Sequence, residues 1–281
     1  MTARRLSLAL AAGLALALPT AAPAQNARPA AQAQPDPALL AAVSGGHRPA
    51  AEKARDAHRR PAETLAFWGL KPGVTVVEIN PGGGYWSRIL APYAKATRGK
   101  YVATVGMSEQ SRNAFAANFA DEAVWGKPEY APYGPNSAQL VAPGTADIVI
   151  TARNIHNWMW VPGQLDKYLK DFHAALKPGG ILAVEEHRSD PRPMVPEARD
   201  GYVSTASVIA AAEKAGFRLE AQSELNANPK DKKDHPFGVW TLPPTRRDSQ
   251  AGTPTPANFN RATFDAVGES DRMTLRFRKP G

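Results

Sequence analysis

Four short stretches of this chain carry side chains whose types and spacing suit chemistry on a small molecule. The first runs Val76-Val77-Glu78-Ile79-Asn80-Pro81-Gly82-Gly83-Gly84-Tyr85-Trp86-Ser87: an apolar run ends in an acid, a glycine turn follows, and a helical pattern begins. Missing side chains let a ligand approach the backbone, and a helix start presents free N–H groups, so such a turn suits a phosphate or a carboxylate. The second stretch holds Asn154, His156 and Asn157, the third Glu185, Glu186, His187 and Arg188, and the fourth Asn226, Asn228, Asp234 and His235. An imidazole is neutral near pH 7 and can take a proton, which makes His156 the first candidate base. Asn154 and Asn157 could orient a carbonyl or hydroxyl, and Glu186 and His187 are the second candidates. Each histidine has a blander reading as a hydrogen-bonded structural residue.

Two details of the glycine turn choose among ligands. Glu78 ends its strand where a carboxylate can hold an ammonium group, directly or through water, and where it would repel a pyrophosphate. The dinucleotide pattern G-x-G-x-x-G finds Ser87 in its third place. Both favour S-adenosylmethionine, with Glu78, Asn80, Pro81, Gly82, Gly83, Gly84 and Tyr85 as its candidate contacts. Trp158, Trp160 and Tyr202 could wall a pocket or meet a sulfonium by cation–π attraction, though core packing is the commoner fate of such rings. No H-x-x-x-H or H-E-x-x-H spacing occurs, so no metal is expected.

The elements that must position these groups alternate. Strands are expected at 74–79, 100–105, 146–151, 181–186, 217–224 and 273–277, with a further short strand possible in the Pro- and Gly-rich stretch 126–144. Helices are expected at 84–94, 109–119, 164–176 and 205–215. A helical stretch also covers 50–68, with Pro61 either kinking it or starting a second helix. Helical crossovers between strands imply a Rossmann-like α/β sheet, mostly parallel, with helices on both faces. The last two strands lack a helix between them, so the last is expected to be antiparallel. The segment from Pro243 to Asn260 reads as a lid or as a surface loop.

The ends and the composition set the context. Arg4 and Arg5, the apolar run Leu6 to Leu18, Pro19 and Ala22-Pro23-Ala24 make a signal-peptide pattern over residues 1–24, so the protein is expected to be exported, to the periplasm. That run is shorter than the ~20 residues a bilayer needs, and no later segment reads as a span. Residues 25–49 are rich in Ala, Gln and Pro and read as a flexible segment. Residues 50–281 form the domain. The chain has no cysteine, which excludes disulfides, thiolate metal sites and cysteine nucleophiles. Its net charge of +8 comes from dispersed residues, and no nucleic-acid motif is present.

The chain resembles a family of exported bacterial methyltransferases from about Arg55 to Pro280. The resemblance rests on Arg59-Arg60-Pro61-Ala62-Glu63-Thr64-Leu65, Glu78-Ile79-Asn80-Pro81-Gly82-Gly83-Gly84 and Arg153-Asn154-Ile155-His156-Asn157-Trp158-Met159. It continues through Leu176-Lys177-Pro178-Gly179-Gly180, Glu185-Glu186-His187-Arg188, Gly201-Tyr202-Val203, Asn226-Ala227-Asn228-Pro229-Lys230-Asp231 and Gly268-Glu269-Ser270-Asp271-Arg272-Met273. It implies a class I methyltransferase fold and S-adenosylmethionine, with a small molecule or an envelope component as methyl acceptor. The alternative is a non-catalytic ligand-binding protein on that fold. A nicotinamide oxidoreductase is disfavoured by Glu78 and Ser87. The sequence departs from the general methyltransferase pattern in three places. Asn80 stands where a glycine is usual. Val105-Gly106-Met107 stands where an acid usually holds the ribose, with Glu109 the nearest carboxylate. No Asp stands clearly in the Pro-rich stretch where many relatives contact adenine, and Asn136 or Gln139 would be the substitutes.

Overall fold

The computed structural model describes residues 34–281. The signal-peptide reading of residues 1–24 lies outside the described residues. Seven strands form one sheet: β1 (Thr75–Ile79), β2 (Lys100–Gly106), β3 (Glu129–Tyr133), β4 (Ala146–Ala152), β5 (Leu176–His187), β6 (Arg218–Ser223) and β7 (Arg272–Arg278). Their order across the sheet is β3-β2-β1-β4-β5-β7-β6. Neighbours from β3 to β5 are parallel, and β7 runs antiparallel to both β5 and β6. The last strand is therefore the antiparallel one, as the missing helix before it requires.

Alternate residues along each strand feed opposite faces. Val77, Val102, Val149 and Leu182 pack with Tyr168, Leu169 and Phe172 of the helix Gln164–Ala175 and with Val208 of the helix Thr205–Lys214. On the other face, Val76, Ala103, Ile148 and Ile150 meet Leu65 of the helix Pro61–Phe67 and Ile89, Leu90 and Tyr93 of the helix Ser87–Thr97. Each such large apolar side chain contributes about 1.5–3 kcal/mol by leaving water. The sheet order reverses between β1 and β4. A cleft must open beyond the carboxyl ends of those two strands.

Three local departures from the sequence reading have clear causes. The segment expected to be flexible carries a helix, Pro37–Ser44, with Pro37 in its first turn. Asp36 caps it, accepting from the Leu39 N–H at 3.1 Å and from the Tyr93 hydroxyl at 2.7 Å, and Leu39 is fully buried. The stretch 50–68 divides into the helices Ala50–Lys53, Asp56–Arg59 and Pro61–Phe67, because Arg60 turns left-handed at φ 38° and Pro61 begins the last. β5 starts five residues before Ile181 and runs through Pro178-Gly179-Gly180. That turn pairs with the end of the chain: the Gly179 N–H donates to the Lys279 carbonyl at 3.0 Å, and the Lys279 N–H to Gly180 at 2.9 Å. No described helix is long and apolar enough to cross a membrane.

Candidate active site

A cleft of about 290 Å³ opens where the sheet order reverses, and the glycine turn forms one of its walls. Asn80 takes the left-handed φ of 47° that a glycine adopts freely and asparagine tolerates. Gly82 follows at φ 57° and Gly84 at φ 84°. A Cβ built on Gly82 or Gly83 would meet nothing within 4 Å, so both backbones face open space. Arg88 braces the turn, donating to the Gly83 carbonyl and to Glu52, each at 2.7 Å.

Glu78 lines the cleft floor, yet it is buried. Its Oε2 accepts from the Ser87 hydroxyl at 2.8 Å and from Tyr101 at 2.5 Å. Burial pushes its pKa up to about 7, against the opposing effect of the two hydroxyls. The carboxylate expected here is thus partly protonated near neutral pH. Pro81 and Tyr85 also line the cleft. The Tyr85 hydroxyl donates to Asp56 at 2.6 Å, and burial holds its pKa far above the usual phenol range.

The opposite wall comes from the ends of β4 and β5. His156 sits in a short helix, Ile155–Trp158, which the sequence reading did not anticipate. Its ring Nδ1 donates to Glu186 Oε1 at 3.0 Å and its main-chain N–H to Oε2 at 3.2 Å. The His187 N–H also donates to Glu186 Oε1, at 2.8 Å. The His187 ring lies 5.3 Å from that of His156, and its Nδ1 bonds to the Ser270 hydroxyl at 2.5 Å. Burial first, then His156, Arg153 and Arg272, hold the pKa of His187 well below the usual imidazole range, so it is neutral. Trp160 and Trp240 stand 6.1 and 5.9 Å from the His156 ring.

His156, Glu186 and His187 bring three potential metal-ligand atoms within 4.8 Å of one another. Sequence spacing hid this grouping, because the residues come from different strand ends. The donor set fits a metal poorly. Both Glu186 oxygens are already engaged by N–H donors, and three guanidiniums, those of Arg153, Arg272 and Arg59, act on His187. A divalent cation would be repelled there.

Other candidates take structural work. Asn154 clips the two strand ends at the switch point: its amide donates to the Ile79 carbonyl at 2.9 Å, and its carbonyl accepts from Asn80 at 3.0 Å. It is therefore not free to orient a substrate, whereas Asn157 is half-buried and lines the cleft. Glu185 pairs with Arg272, and Arg188 with Asp271 and Glu224. The fourth polar stretch does not reach the cleft. Asn226 bonds Thr64 and Thr274, Asn228 bonds the carbonyls of Val267 and Glu269, and His235 pairs with Asp231 at 2.8 Å. Trp158 and Tyr202 are core residues. Sequence reasoning missed Arg55, Arg153, Trp240 and Pro243-Pro244-Thr245, all of which line the cleft. Arg153 and Arg59 did stand in the quoted motif blocks, which was the only available signal.

No known family profile matches the chain, and no curated protein matches it in sequence. In structure it is similar to the [4+2]-cyclase SpnF, at 15% identity and TM-score 0.54, covering 86% of this chain and 92% of that one. It is similar to the CurJ carbon methyltransferase at 15% identity and TM-score 0.50, covering 86% of this chain and 58% of that one. A SAM-dependent methyltransferase from Aquifex aeolicus is 23% identical over 65% of this chain and 90% of that one, with TM-score 0.49. A cyclase and a methyltransferase share this frame, so the site and not the sheet decides the reaction. With its strand order 3-2-1-4-5-7-6 and its single antiparallel strand, the chain has the class I S-adenosylmethionine-dependent methyltransferase fold.

Proposed function

We propose that the protein is an exported S-adenosylmethionine-dependent methyltransferase acting on a small molecule or an envelope component. The observation that carries this reading is that the open glycine turn and His156, held from behind by Glu186, face the same cleft. The residues fit the methionyl end of the cofactor: Gly82 and Gly83 leave room above the backbone, and Glu78 lies below. When bound, the cofactor supplies an electrophilic methyl group on a cationic sulfonium. Glu78 meets the ligand's ammonium group. The acidic form of Glu78 loses its proton as it does so. Glu186 holds the His156 ring with Nδ1 protonated, which leaves Nε2 as the base that takes the acceptor's proton. Asn157 orients the acceptor, and Trp160 and Trp240 shield the base from water.

One observation favours a second reading, a binding protein without catalysis. β2 ends in Gly106 and the exposed Met107, with no carboxylate for the ribose hydroxyls. Calorimetric titration with S-adenosylmethionine and S-adenosylhomocysteine, with Glu78→Ala as control, tests the methyltransferase reading. Saturable binding lost in the variant supports it. No saturation at millimolar ligand overturns it.

A further inference from the structure

Four arginines from distant parts of the chain meet beside the cleft. Arg55 and Arg59 donate to the two oxygens of Glu269 at 2.7 and 2.8 Å. Arg272 contacts the same carboxylate at 3.1 Å and Glu185 at 2.5 Å. Arg153 follows β4, lines the cleft, and makes no ion pair among the described residues. Three of the four guanidiniums thus share two carboxylates, and Arg153 pairs with neither. The next acids are already taken: Asp56 by Arg48, Glu52 by Arg88, and Glu186 by His156.

This excess of positive charge is poorly satisfied. Nη1 and Nη2 of Arg59, Nη2 of Arg55 and Nε of Arg153 are buried with no hydrogen-bond partner among the described residues, the Arg59 and Arg55 guanidiniums lying 4.5 and 5.5 Å from the Tyr85 ring centre. The Arg59 side chain is 0% exposed. Buried cationic nitrogens without acceptors are costly, and beside an open cleft a ligand can supply the acceptor. Arg153 adds backbone strain, at φ 59°, a region that a bulky residue seldom occupies. Burial and then Arg153 lower the pKa of Arg59 to about 9, and burial likewise lowers that of Arg153. In both, burial outweighs the opposing pull of Glu185 and Glu269.

We propose that Arg55, Arg59 and Arg153 form a preformed seat for an oxyanion, a carboxylate or phosphate carried by the cleft's ligand. Guanidinium forks suit either group. Arg55 and Arg153 reach the ligand from the cleft wall, and Arg59 supplies charge from behind them. Two molecules could bring the group: the methyl donor, through its methionyl carboxylate, or an anionic acceptor. The seat itself does not depend on methyl transfer.

The test is titration of the full-length folded protein with inorganic phosphate and with acetate, at constant ionic strength set by chloride. Saturable binding of either is expected, at least tenfold weaker in Arg153→Gln. That variant breaks no ion pair, and circular dichroism checks its fold. A rise in the wild-type melting temperature with phosphate over matched chloride gives a second readout independent of the variant. No saturation and no rise, or equal binding by the variant, overturns the proposal. Competition then assigns the source. Phosphate that competes with S-adenosylhomocysteine but not with 5′-methylthioadenosine, which lacks the amino-acid end, assigns the seat to the donor carboxylate. Phosphate that binds alongside both assigns it to the acceptor. Phosphate binding without S-adenosylhomocysteine binding sinks the methyl-donor reading and upholds the seat.

Discussion

Glu186 grips one residue twice: its Oε1 accepts from the His156 ring at 3.0 Å and its Oε2 from the His156 main-chain N–H at 3.2 Å. The ring is therefore fixed in orientation, and its neutral form in the tautomer with the proton on Nδ1. Long-range ¹⁵N–¹H spectra should show that tautomer in the wild type and a mixed population in Glu186→Gln. Once an acceptor is known, the same variant should lose methyl transfer by about 10²–10⁴-fold, the usual worth of a positioned base. Equal tautomer populations in the two proteins would remove the pair's role.

Glu78 predicts two opposite pH effects. Its folded pKa of about 7 lies above its ordinary value of 4.5. Between those values the unfolded chain gives up the proton that the folded chain keeps, so this residue's contribution to stability falls as pH rises and is flat above 7. Glu78→Gln should therefore gain on the wild type across that window, by at most roughly 3 kcal/mol, in denaturant melts at pH 5 and pH 8. Ligand affinity runs the other way. An ammonium group needs the ionised carboxylate, so binding should release a proton below pH 7 and weaken by up to about tenfold per unit of falling pH. Calorimetry in buffers of different ionisation enthalpy measures that release.

The two open glycines separate folding from binding. Gly83 is not left-handed, and its Cβ would meet nothing, so Gly83→Ala should melt like the wild type. Gly82 has φ 57°, and Gly82→Ala should cost about 1 kcal/mol from the strained backbone. Both methyl groups project where the ligand must approach. Each variant should bind S-adenosylhomocysteine at least tenfold more weakly, measured by titration beside the thermal melt. A Gly83→Ala protein that binds normally would place the ligand elsewhere.

The cluster of His156, Glu186 and His187 should not take up a metal. Dialysis against zinc followed by elemental analysis should find less than one equivalent retained. Chelator should leave the melting temperature unchanged. Stoichiometric zinc lost in His187→Ala would reverse this conclusion.

Much of the frame was legible because burial leaves a local mark. Val76-Val77, Ile148 to Ile150 and Ile181 to Val184 are apolar runs rich in β-branched residues, and the turn after Glu78 carries its glycines in one place. Asn80 confirms why a glycine can be replaced there, since its φ is left-handed. Short helices left weaker traces. Ile155–Trp158 and Glu122–Trp125 are single turns. No propensity window resolves elements of that length, and tertiary contacts fix them. The site was legible residue by residue but not in its pairings. Nothing local tells that Glu186 reaches back 30 positions to His156, or that Asn154 spends its amide on Ile79. The arginine grouping was silent for the same reason, because charges scattered along a chain look like solvated surface.

The ion pairs from Arg55 and Arg59 to Glu269 join residues 214 and 210 positions apart. They close only after β7 has slotted between β5 and β6. A nascent or truncated chain lacking residues from Glu269 onward has no Glu269 or Arg272 to hold the other arginines in place. The proposed seat is thus completed by the last strand, so anion binding there would report that the chain has closed its sheet.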